Sequence, residues 1–242
     1  MSSSNLTRLA VQSYCFREFE FESALRCAME LGINVVELCR VHMLPDLMDP
    51  EFRMRRDTLR CADIRVPSFG VEVFEQDQGA NRRRFEFAQA LGVNCIAADV
   101  APVALDDIEQ LTREFSVRVA LHNHGPGARY DKVNDVVQAL DGRCPLIGAC
   151  LDTGHAIRSG EDPAEAVRAL GPLLFEIHLK DWVRGGEEQM LGEGDLDLRE
   201  LVAALDEVGF NGWTVFEFEL NPNNPVPGLK QCVDAWKQAA GA

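Results

Sequence analysis

No uninterrupted apolar run in this chain approaches the roughly 20 residues of a membrane span. The opening MSSSNLTRLAVQ has neither the basic start nor the apolar stretch of a secretion signal. Both absences make the cytoplasm the expected location. Basic residues are in short supply: 24 Lys and Arg stand against 39 Asp and Glu, giving a formal charge of −15 and a sequence pI of about 4.7. Such a field repels phosphate backbones and anionic bilayers, which argues against nucleic acid or a membrane surface as partner and for a small neutral substrate. Eight cysteines occur, but no C-x-x-C pair, and the chain is too long to need a disulfide scaffold. They read as reduced core thiols, with no base placed beside any of them to make a nucleophile. No low-complexity segment or linker appears. GGEEQMLGEGD and NPNNPVPG are turn punctuation inside one domain expected to span residues 1–242. The first strand is not followed by G-x-G-x-x-G, which counts against a doubly wound open sheet.

What is present is a repeated joint. Three times an amphipathic helix pattern reaches a glycine and runs straight into an apolar, β-branched strand: ALRCAMELGINVVEL with Gly32, FEFAQALGVNCIAA with Gly92, and LVAALDEVGFNGWTVFEF with Gly209. Each glycine can adopt the left-handed backbone that closes a helix. Gly32 and Gly92 lie 92 − 32 = 60 residues apart, two units of roughly 30 residues if each is a strand with its crossover helix. Eight such units fill 242 residues, near the roughly 250 typical of an α/β barrel. The predicted fold is therefore α/β, a single-domain (β/α)8 TIM barrel. Its strands are expected at 9–13, 35–39, 65–69, 95–98, 117–122, 147–152, 175–180 and 213–218, short apolar runs as buried parallel strands should be. Helices are expected at 131–140 and at 163–170, the latter with Asp162 as N-cap and Pro163 in its first position.

In such a barrel the strand C-termini converge at one mouth, so polar residues that interrupt apolar runs there are the candidates for chemistry. Four consecutive strands carry them: ALHNHG, ACLDTGH, EIHLKDW and VFEFE. Alternation puts Asp152 on one face with Cys150 and Gly148, and His122 with Ala120, leaving room inside the barrel below. His178 and Glu217 complete the ring. Two imidazoles and two carboxylates suit a divalent metal ion such as Mn2+, Zn2+, Co2+ or Fe2+ better than Ca2+. Either histidine alone could equally be a satisfied partner of a carbonyl or carboxylate. Four such groups on adjacent apolar strand ends, however, are costly unless a cation or a hydrogen-bond network compensates.

Taken together, GINVVEL, FAQALGVNCI, VALHNHG, ACLDTGH, IHLKDW, LGEGDLD and GFNGWTVFEFE resemble the sugar phosphate isomerase/epimerase family, xylose-isomerase-like TIM barrels that also include inosose dehydratases and metal-dependent apurinic endonucleases. The resemblance implies Asp152, His178 and Glu217 as metal ligands, Glu217 also as an acid/base, and His155 of the DTGH turn close by. Where sugar epimerases of the family present a glutamate on the fifth strand, this chain has His122. His122 can still bind metal, and a neutral imidazole is a competent base. The catalytic set expected on this footing is Glu217, His122, His124 and Lys180, with Glu37, His155 and Asn123 meeting substrate.

Several of these residues have more than one reading. His124 either contacts substrate hydroxyls, acts as base, or supports its neighbours. Lys180 either polarises a substrate oxygen or pairs with Asp181 or another carboxylate at the mouth. Glu37 is either a hydroxyl or acid/base group or structural. Glu219 is expected at the rim, and Trp182 and Trp213 in packing. The function expected first is metal-assisted isomerisation or epimerisation of a small, unphosphorylated sugar, ketose or polyol. The alternative is a lyase or dehydratase that expels a β-hydroxyl from a keto-sugar or keto-inositol. A non-catalytic carbohydrate-binding barrel is the other class. An endonuclease would need a basic face and a D-x-H pair, which DWVRGGEEQM lacks. A homodimer is expected by resemblance only.

Overall fold

The structure is a computed structural model and describes residues 8–241. Eight parallel strands form one sheet: β1 (Leu9–Gln12), β2 (Val36–Glu37), β3 (Ser68–Phe74), β4 (Cys95–Val100), β5 (Arg118–His122), β6 (Ile147–Asp152), β7 (Leu174–Leu179) and, last in the chain, β10 (Trp213–Phe216). Their order is β2-β1-β10-β7-β6-β5-β4-β3. Two isolated parallel bridges, Val35 to Arg65 and Leu38 to Phe69, join β2 to β3 and bring the ends of the sheet together. The result is a nearly closed TIM barrel. Helices α1 (Phe21–Glu30), α2 (Phe52–Cys61), α3 (Gln78–Leu91), α4 (Leu105–Phe115), α5 (Val133–Leu140), α6 (Thr153–Arg158), α7 (Pro163–Leu170), α8 (Leu198–Glu207) and α9 (Val226–Ala240) intervene between strands or follow them.

Strand alternation divides the interior. Val119, Leu121, Ile147, Ala149, Leu151 and Ile177 point outward into the layer shared with helix residues such as Phe85, Ile108, Val167, Leu201 and Leu205. The inward positions are small: Cys95, Ala97, Ala120 and Cys150 pack together inside the barrel. Small side chains at that level leave the upper end of the barrel open for polar groups. All eight cysteines are free thiols, six of them buried.

The helix-closing glycines behave as the joints require, with φ of 73° at Gly32, 86° at Gly92 and 66° at Gly209. Helix α7 starts at Pro163, with the Asp162 side chain accepting from the Ala164 N–H at 2.8 Å. The third strand departs from expectation. Arg65 makes only an isolated bridge, because Pro67 has no N–H to give a ladder, and β3 proper runs from Ser68 to Phe74. Between the seventh and eighth barrel strands, a region expected to be loop, Asp181–Trp182 (β8) and Glu188–Gln189 (β9) form a small antiparallel hairpin. No helix among the described residues is long and apolar enough to cross a membrane.

Candidate active site

The last inward-facing residues of four neighbouring strands meet at one mouth. His122 ends β5, Asp152 ends β6 and His178 lies one residue before the end of β7. Glu217 follows β10, and its N–H donates to the Leu179 carbonyl at 3.1 Å, so the strand pairing continues one step past Phe216. Parallel register sets Asp152 opposite His178 and His122 opposite Cys150. One ligand atom from each of His122, Asp152, His178 and Glu217 lies within 4.8 Å of the others.

Polar atoms in this cluster are left without partners. Both ring nitrogens of His122 and Oδ2 of Asp152 are buried and make no hydrogen bond. Each such orphan costs about 1–3 kcal/mol. A divalent cation would offset that cost, and the mixed N/O donor set fits one. Burial, reinforced by His178 and His124, pushes the His122 ring well below its ordinary pKa. It is therefore neutral, the form that ligates metal.

The surrounding groups orient these four. His178 Nε2 lies 2.8 Å from Glu37 Oε2, and its Nδ1 lies 2.7 Å from Glu217 Oε2. Glu37, expected to meet substrate, is wholly buried behind His178 and fixes the ring from the side away from the mouth. Asn123, also expected as a substrate contact, spends its amide on Asp152. Its Nδ2 donates to the Asp152 carbonyl at 2.9 Å, and its Oδ1 accepts from the Asp152 N–H at 2.8 Å. Asp152 also caps α6, with Oδ1 accepting from the His155 N–H at 2.8 Å, which leaves Oδ2 facing the cluster.

Lys180 is buried, and its partners are not Asp181. Nζ lies 2.9 Å from Glu217 Oε1, 2.5 Å from Glu219 Oε1 and 3.8 Å from Asp152 Oδ2. Burial works against the ammonium, yet Glu217, Asp152 and Glu219 hold its pKa well above the ordinary lysine range. Burial would likewise raise Glu217, but Lys180 and then His178 hold that carboxyl well below the usual carboxylate range. Asp181 serves the LGEGDLD segment instead, accepting from the N–H groups of Gly192, Gly194 and Leu196 at 2.8, 3.0 and 3.0 Å.

Beside the cluster is a cavity of about 360 Å3. Glu217, Glu219, His124 and His155 form one wall, and Tyr14, Arg40, Val41 and Val71 form the other. Glu219 thus faces the same space as Glu217. His155 Nδ1 lies 2.8 Å from Arg158 Nη1, and the guanidinium carbon sits 4.8 Å from the centre of the Trp182 ring. A guanidinium only donates, so Nδ1 accepts and Nε2 carries the proton. That Nε2 lies 3.9 Å from Asp152 Oδ2. Trp213, by contrast, stacks with Arg65 away from this cavity. Sequence reasoning missed the second wall, because β1, β2 and β3 end in no ring of metal-ligand side chains. The charged residues there, Glu37, Arg40 and Glu72, are scattered over β2, the turn after it and β3, and form no pattern along the chain.

A family model described as a xylose isomerase-like TIM barrel matches residues 25–239. The chain belongs to this family. Among curated relatives, the inosose dehydratase of Clostridium botulinum (strain Eklund 17B / Type B) is 26% identical over 144 residues, covering 50% of this chain and 48% of that protein. The chain thus spans about half the length of the curated relatives it matches. Two solved structures share the fold. An IolI protein with a bound zinc atom superposes with a TM-score of 0.78 at 17% identity, covering 97% of this chain and 98% of that one. D-psicose 3-epimerase from Clostridium cellulolyticum H10, with D-tagatose, superposes with a TM-score of 0.74 at 14% identity, covering 97% and 99%.

Proposed function

We propose that this xylose isomerase-like barrel is a divalent-metal-dependent enzyme that takes a proton from the carbon beside a carbonyl in a small polyhydroxylated substrate, and that a β-hydroxyl then leaves as water. The observation that carries this reading is the presence, in one cavity, of an ionised carboxylate and a fixed donor: Glu217 and the Nε2–H of His155. His122, Asp152, His178 and Glu217 would hold the metal, which when bound supplies a Lewis acid for the substrate oxygens. Glu217 takes the α-proton. Lys180, held too firmly as an ammonium to act as a base, keeps Oε1 of that carboxylate in place. The Nε2–H of the neutral His155 ring hydrogen-bonds to the departing hydroxyl, and the proton held by Glu217 is delivered to that oxygen, so the C–O bond breaks as the C=C bond forms, water leaves and Glu217 returns to its ionised form. The relative named inosose dehydratase supports this outcome.

Isomerisation or epimerisation is the second reading. His124 favours it, because this imidazole on the β5 side lines the cavity together with Glu217 and offers the second base that such reactions need. The D-psicose 3-epimerase fold neighbour points the same way.

Elemental analysis of the purified protein, His178→Ala and Glu217→Gln is the first test. Near-stoichiometric transition metal is expected in the wild type and less in both variants. Keto-inositols and ketoses are then incubated in D2O with the loaded protein. Loss of water supports the dehydratase, whereas deuterium gain with the carbon skeleton and hydroxyls intact supports the isomerase or epimerase. Glu217→Gln should lower kcat about 10²–10⁴-fold. A protein that neither retains nor binds metal would sink both readings.

A further inference from the structure

The wall facing Glu217 carries a cation with an open side. Arg40 follows β2 and lines the cavity, and its side chain is 51% exposed. Its Nε and Nη2 donate to the two oxygens of Glu72 on β3 at 2.9 and 2.6 Å. Glu72 is 1% exposed and also accepts from Arg84 Nε of α3 at 2.9 Å. Two guanidiniums share this one buried carboxylate, so the spot is locally positive on a molecule whose formal charge is −15. Glu72 takes the Nε/Nη2 edge of Arg40. Nη1 has no hydrogen-bond partner among the described residues, so the end-on edge formed by Nη1 and the second N–H of Nη2 stays free.

We propose that this free edge is a carboxylate-binding subsite, and that the natural substrate is a polyhydroxylated acid whose carboxylate meets Arg40 while its hydroxyl or carbonyl end meets the Glu217 side. The inference rests on the proposed function of the same cavity and names the substrate class. Two parallel N–H groups match the two oxygens of a carboxylate. One guanidinium edge, flanked by the apolar Val41 and Val71, matches one negative charge better than a phosphate dianion. Glu72, 1% exposed, holds the other edge of Arg40 in place, and Arg40 itself lines the cavity. The overall field of the protein repels anions, so an anionic substrate needs a local anchor of this kind.

The test is calorimetric binding of shikimate and of its methyl ester, a neutral match, to the metal-loaded protein. Shikimate is expected to bind at least about tenfold tighter than the ester. Arg40→Met should remove that preference while Arg84 still holds Glu72, with retained folding checked by thermal unfolding. Arg40→Lys, which keeps the charge but not the planar edge, should keep only part of it. Equal metal-dependent binding of acid and ester by the wild type would overturn the subsite and leave the proposed function standing. A preference that survives Arg40→Met would overturn it too, assigning the carboxylate to the metal. Binding of neither compound by a protein that holds metal overturns the subsite together with the polyol reading on which it rests.

Discussion

A Cβ on residue 154 would come within 2.7 Å of Lys180 Cγ and 2.9 Å of Cδ, so the glycine of the DTGH turn is the space through which the lysine reaches the mouth. Gly154→Ala should push Lys180 into another rotamer and break its contact with Glu217. Activity is expected to fall on the order of 100-fold, and stability by about 1–3 kcal/mol. Steady-state kinetics and urea unfolding read the two effects separately. Glu37 acts at one further remove, through the ring of His178. Glu37→Gln should weaken metal affinity about 10–100-fold, measured by competition with a chelator, while leaving the ligand set intact.

At the scale of elements, Asp181 is the knot of the segment between β7 and α8. Besides three N–H groups of the LGEGDLD segment, it accepts from the Trp182 N–H at 2.8 Å. Asp181→Ala would strip those donors of a charged partner, at an expected cost of about 1.5–3 kcal/mol or more. Limited proteolysis should then cut between residues 187 and 197 before anything else. This segment also marks where the sequence could and could not be read. Strand β6 is an apolar run closed by Asp152 and has the bounds expected of it. Two-residue strands such as β8 and β9 give no periodicity to detect, and Pro67 with Gly70 disguised the alternating core of β3. At the site, the four strand-end residues announced themselves by interrupting apolar runs. The backing of His178 by Glu37, 141 positions away, and the Arg40–Glu72 pair depend on which strands face each other across the barrel, and no local pattern encodes that.

Across the whole molecule, the barrel interior carries ionisable groups below the mouth as well as at it. Glu176 is wholly enclosed, and burial, then the neighbouring Glu37, pushes its carboxyl up to about 8. A carboxyl raised from 4.5 in this way favours the fold at pH below 4.5, and that contribution is lost as pH climbs to about 8. The wild-type protein, freed of metal, should therefore lose stability across that interval. Glu176→Gln should flatten the decline and be the more stable protein at pH 8. Melting temperatures of the two at a series of pH values decide it, and parallel curves would contradict the assignment.

The cavity has two walls of separate origin. Chemistry-bearing side chains come from β5, β6, β7 and the segment after β10, whereas Tyr14, Arg40, Val41 and Val71 come from the opposite arc of the ring. On the proposed function, reaction and recognition are thus written on different stretches of chain. A library that randomises only those last four positions would resample which molecules are accepted while every proton-moving group stays where it is, so the barrel offers a ready route to new substrates at constant chemistry.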